Sequence, residues 1–112
     1  MEEKTTITIK NKEQYERLIM EKDPVILYFS SLNCNVCQAV FPKLMMLVND
    51  YSIPVAKINV DEQMEIAGQS LVFTVPTILI MYEGKEVLRE SRFIDFSNIA
   101  RTLEFIFCNN IQ

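Results

Sequence analysis

The segment Val25-Ile26-Leu27-Tyr28-Phe29 is an unbroken apolar run, closed by Asp23-Pro24 before it and Ser30-Ser31 after it. It is too short for a helix and opens with β-branched residues, so it reads as a strand. A strand without polar alternation has no face to give to water. It belongs in the middle of a sheet covered on both sides, and helices are the usual cover.

The flanking segments supply that cover. Asn11 and Gln14 have the spacing of a capping box, and Tyr15, Leu18 and Ile19 then share one helical face. From about Cys34 to Asp50, Val40, Phe41, Leu44, Met45, Leu47 and Val48 mark a second helix, with a kink expected at Pro42. Residues 61–69 read as a short helix, and a last one starts near Asp95 or Ser97 and uses Phe96, Ile99, Ala100, Leu103, Ile106 and Phe107. Further strands are expected at 4–10, 53–60, 77–82 and 86–90, the last two joined by a turn at Glu83-Gly84-Lys85. The order predicts a parallel first half with right-handed crossovers and an antiparallel hairpin. Residues 108–112 read as a frayed tail.

A length of 112 residues suits one domain spanning 1–112. Eleven basic against fifteen acidic residues, a net charge of −4, leave no basic cluster for nucleic acid or an anionic membrane. Histidine is absent, which removes Ser-His and Cys-His catalytic pairs, an imidazole base and His-ligated metal sites. The acidic start has no apolar signal core, and no run approaches the ~20 residues of a membrane helix. A cytoplasmic location is expected, where cysteines serve as thiols rather than as a permanent disulfide framework.

Cys34-Asn35-Val36-Cys37 is the one constellation with specific chemical content. Two cysteines three apart at a helix start lie within disulfide reach, and the strand before them puts them at its carboxyl end, where sites gather in α/β sheets. Only a thiolate attacks a disulfide. The unpaired N–H groups of a helix start favour that anion, and direct hydrogen bonds to charge, at ~1.5–3 kcal/mol each, outweigh the dipole at ~1 kcal/mol. Cys34 is therefore the expected nucleophile. Cys37, one turn in and more buried, is the resolving thiol. Buried cysteine can also be a small hydrophobe, which is the alternative for the pair.

At this point the chain resembles the thioredoxin family over nearly its whole length. The resemblance is carried by the strand Val25 to Phe29, by Cys34-x-x-Cys37, by Pro42 five residues later, by Val55-Ala56-Lys57-Ile58-Asn59-Val60-Asp61, by Thr74-Val75-Pro76-Thr77, and by Gly84 in the hairpin turn. It implies a thioredoxin-like three-layer α/β/α sandwich, with a five-stranded mixed sheet and four helices. It implies thiol-disulfide oxidoreductase activity on protein disulfides, without a cofactor, and a thioredoxin-reductase-type electron donor. It further implies a cis Val75-Pro76 peptide facing the cysteines and a Val75 backbone that pairs with substrate. The substrate-binding positions are then Asn33, Thr74, Val75, Pro76 and Arg92. Lys57 is the proton-transfer candidate.

The chain departs from the family pattern at several of these places. Asn33-Cys34-Asn35-Val36-Cys37 stands for the usual Trp-Cys-Gly-Pro-Cys, Tyr28 for a buried aspartate, and Arg92 for a glycine of the substrate groove. Val36 restores an N–H that a proline lacks; it is expected to reach the Cys34 sulfur, favour its thiolate and make the couple more oxidising. Tyrosine is a poor base at neutral pH, so Tyr28 is expected to be core with a hydrogen-bonded hydroxyl. Cys108 is expected to be a partly buried filler, and Met45, Met46 and Met81 core or groove lining. Two rival functions stand beside the enzyme. One is a binding or adaptor module with weak or no turnover. The other is a metal-bridged dimer through two Cys pairs, since one pair supplies half a zinc site. The expectation is a monomer that binds no metal.

Overall fold

The computed structural model describes residues 6–108. In chain order the elements are β1 (Thr6–Thr8), α1 (Lys12–Met20), β2 (Val25–Ser30), α2 (Asn35–Val48), β3 (Val55–Asn59), α3 (Met64–Gln69), β4 (Thr77–Tyr82), β5 (Lys85–Ser91) and α4 (Phe96–Cys108). The strands form one sheet in the order β1-β3-β2-β4-β5. β3 pairs parallel with β1 and β2, and β4 pairs antiparallel with β2 and β5. The expected mixed sheet is therefore present, with β2 at its centre.

β2 shows why two helical layers are needed. Ile26 and Tyr28 face a core shared with Val40, Leu44 and Val48 of α2 and Ile99, Leu103 and Ile106 of α4. Val25, Leu27 and Phe29 face the opposite core, with Tyr15 of α1 and Ile66 and Ala67 of α3. No residue from Val25 to Phe29 is more than 2% exposed, so the central strand contributes to both cores at once.

Several local expectations shift. The strand expected over 53–60 shortens to Val55–Asn59, because Pro54 has no N–H to donate; its carbonyl accepts from the Ile26 amide at 3.0 Å. Asn11 caps α1 by accepting from the Gln14 amide at 2.8 Å, but Gln14 Oε1 reaches back to the Lys10 amide at 2.7 Å, so the box closes one residue early. α3 starts at Met64 because the Asn59 side chain first accepts from the amides of Asp61 and Glu62 and forms a turn. α2 continues past Pro42, the place where the kink is expected, to Val48. Cys108 ends α4, and the rest of the expected tail, like residues 1–5 of the expected first strand, lies outside the described residues.

Candidate active site

The strand register brings three chain segments to one end of the sheet. Phe29 of β2 pairs with Thr77 of β4, and Thr77 pairs with Ser91 of β5. The exit of β2 toward Cys34, the entry to β4 at Pro76 and the exit of β5 at Arg92 are thus neighbours, one ~4.8 Å strand spacing apart each.

Cys34 is the N-cap of α2, in extended backbone conformation, and its sulfur accepts from the Cys37 amide at 3.0 Å. The two residues are joined as a disulfide with Cα atoms 5.2 Å apart. Cys34 is half-buried and Cys37 only 3% exposed, the asymmetry expected of an attacking and a resolving thiol. One detail differs from expectation: the amide that reaches the Cys34 sulfur belongs to Cys37, the third residue of the helix, and not to Val36. A side chain at an N-cap commonly accepts from that position, so the contact survives whatever residue stands at 36.

Tyr28 lies under the cysteines. Its hydroxyl donates to the Cys37 carbonyl at 2.5 Å, and its ring packs on Phe41 with centroids 5.1 Å apart. Burial pushes its phenol up to about 12. A group that keeps its proton to that pH is no base, so the hydroxyl acts as a fixed donor. Lys57, in register with Tyr28, holds its Nζ 4.6 Å from the centroid of the Phe41 ring. Together with Cys37, Tyr28, Phe41 and Leu32, it lines a cavity of about 350 Å³.

The Val75-Pro76 peptide is cis. The β4 entry is fastened from β5: the Arg92 amide donates to the Pro76 carbonyl at 2.8 Å, and Thr77 Oγ1 donates to the Thr74 carbonyl at 2.7 Å. Thr74 and Arg92 are exposed, Val75 is half-buried and Pro76 is buried. Asn33 is exposed in the turn that precedes Cys34. The structure therefore brings the two cysteines, Lys57 and the substrate-binding positions singled out from the sequence toward this end of the sheet.

Two features here carry no signal in the sequence. One is the exposure of apolar side chains next in sequence to the site residues: Leu32 is 76% exposed, Phe73 80% and Phe93 86%, side chains that type alone assigns to a core. The other is Arg89, which donates to the carbonyls of Ser70 and Leu71 at 2.8 and 3.0 Å and forks onto Glu86. It clamps the start of the loop that ends at Pro76, where Leu71 sits at φ 58. We expect Arg89→Met to lower stability by roughly 1–3 kcal/mol, because charged donors to two carbonyls are lost together. Urea denaturation checks it, and an unchanged midpoint would remove the clamp's importance.

Two cysteine and methionine expectations are corrected. Cys108 is exposed, not a partly buried filler, because it lies off the face of α4 that Ile99, Leu103 and Ile106 bury. Its thiol donates to Glu104 at 3.1 Å, and that hydrogen bond, with the carboxylate charge, pushes its pKa up. Met46 is likewise 78% exposed rather than core.

A redox-capable cysteine pair on the first turn of a helix, at the same end of the sheet as a cis-proline loop, defines a dithiol-disulfide centre on a three-layer α/β fold. The chain belongs to the thioredoxin family, whose model, described as Thioredoxin, matches residues 6–104. It is 36% identical to "Thioredoxin-like protein YdfQ" of Bacillus subtilis over 93 residues, 82% of this chain and 83% of that one. It is 30% identical to a thioredoxin of Mycoplasma pneumoniae, covering 83% of this chain and 92% of the other. Among solved structures, thioredoxin 1 of Thermosipho africanus superposes with a TM-score of 0.71 at 32% identity, covering 79% of this chain and 99% of that chain. Fold, family and the cysteine pair together make the chain a thiol-disulfide oxidoreductase.

Proposed function

We propose that the protein reduces disulfides in other proteins, as a single-domain monomer in the cytoplasm, and is itself re-reduced by a thioredoxin-reductase-type donor. The observation that carries this reading is the half-buried Cys34 capping α2, with the Cys37 amide aimed at its sulfur and Cys37 within bonding distance behind it.

In the reduced protein that amide becomes a charge-assisted donor to the Cys34 thiolate. The thiolate attacks one sulfur of a substrate disulfide; a mixed disulfide forms and the substrate's other sulfur leaves as a thiolate. Cys37, deprotonated, then attacks Cys34 Sγ. The Cys34–Cys37 bond forms, the mixed disulfide breaks, and the substrate leaves with two electrons and, after protonation, two thiols. Val75 offers backbone groups to the substrate chain, with Asn33, Thr74, Pro76 and Arg92 lining its path. Tyr28 keeps its proton, so Lys57 is the group we assign to the proton and charge of Cys37, through the cavity they share. The cytoplasm fits a reductant, since the glutathione pool there holds thiols reduced.

Catalytic amounts of the protein should accelerate reduction of a disulfide-bonded test protein by a small dithiol. A rate equal to that of the dithiol alone would sink the reading in favour of a binding module.

A further inference from the structure

Arg92 occupies a backbone conformation that suits glycine, with φ at 65°. Side chains other than glycine, asparagine and aspartate adopt it at a cost, and such outliers gather where function holds them. Its side chain is exposed, and its guanidinium carbon lies 5.7 Å from the centre of the Phe93 ring. Arg92 takes part in no ion pair among the described residues. The carboxylates nearest in sequence are already engaged at the start of α4. Glu90 accepts from the Asp95 amide and from Asn98 Nδ2, each at 3.0 Å, and Asp95 accepts from the Ser97 amide at 2.9 Å. An exposed cation with a ring beneath it and no carboxylate partner thus extends from a backbone whose amide is bonded to the Pro76 carbonyl.

We propose that Arg92 is a specificity-determining residue: the disulfide-bearing segment favoured by this site carries a carboxylate next to its cysteine, which pairs with Arg92. The inference rests on the disulfide-exchange reading above. A peptide paired along Val75 lies about one strand spacing from the chain it pairs with, and alternate side chains turn toward each flank. Arg92 is held at the adjoining strand exit, within the reach of an extended arginine. The exposed Phe93 ring beneath the guanidinium makes that flank apolar, and lower local polarity strengthens an ion pair formed against it.

The test uses three peptide disulfides identical except for glutamate, glutamine or lysine next to the cysteine. Wild type should show a kcat/KM about five-fold higher for the glutamate peptide than for the lysine peptide, the scale of one partly exposed pair. The ratio should shrink toward one in ~1 M salt. Arg92→Lys should keep the preference, Arg92→Glu should reverse it, and Arg92→Gly should abolish it with a Tm at or above that of wild type. Equal rates on all three peptides in wild type, or a preference intact in Arg92→Gly, overturn the proposal while leaving the exchange reading standing. Failure to reduce any of the three defeats the exchange reading and this inference with it.

Discussion

Cys34→Ser is expected to bring disulfide reduction down to the rate of the dithiol alone, a loss on the order of 10³-fold or more for a missing nucleophile. Cys37 cannot substitute for it. It is 3% exposed, inside the first turn of α2, and a protein disulfide cannot reach its sulfur. Cys37→Ser should behave differently. Attack by Cys34 remains, but nothing resolves the product, so a mixed disulfide accumulates on Cys34 and appears in intact mass as the added substrate. The pair of variants separates the two thiols by role rather than by activity alone. Both belong in a Cys108→Ser background, because Cys108 is exposed and could trap substrate on its own. An adduct on Cys37 in the Cys34→Ser variant would reverse the assignment.

Much of this architecture is readable from burial pattern alone. The run from Val25 to Phe29 announces a strand covered on both faces, and its alternate side chains do feed two cores. Thr77 to Tyr82 is equally plain, because Pro76 and Gly84 punctuate its ends. Edges blur where a side chain competes for backbone donors, as Asn59 does ahead of α3. The cysteine pair is legible because its chemistry depends on spacing along the chain and on one helix start.

What stays hidden depends on how distant segments fold together. Arg89 acts on carbonyls eighteen and nineteen residues away, and nothing local marks it. Phe73 and Phe93 stand singly in loops, where no periodicity says inside or outside. The backbone of Arg92 is foreshadowed only by the family's glycine there. Cys108 was readable: Ile99, Leu103 and Ile106 define a buried stripe, and a residue two beyond Ile106 turns away from it.

Tyr28 takes the place of a charged group in its family and should prove structural. Tyr28→Ala removes a side chain only 2% exposed between β2 and α2, and should cost about 3–5 kcal/mol through lost burial and the cavity left behind. Tyr28→Phe keeps the ring against Phe41 and deletes only the 2.5 Å hydrogen bond to the Cys37 carbonyl. That carbonyl retains the helical amide four residues on, so the loss should be nearer ~1 kcal/mol than the penalty of an orphaned acceptor. For a domain of this size it corresponds to a Tm lower by roughly 4–8 °C. The titration gives an independent check. Burial raises the folded phenol to about 12, above the ~10 of an unfolded tyrosine, so the folded state favours the protonated form. That stabilisation is complete below pH ~10 and is lost as pH climbs toward 12. Tyr51, held up to about 12 chiefly by its bond to Glu104, titrates over the same range, so the contribution of Tyr28 is the difference between wild type and Tyr28→Phe. Alkaline denaturation curves that coincide for the two proteins, with equal Tm at neutral pH, would show that the hydroxyl does not hold α2 to the sheet.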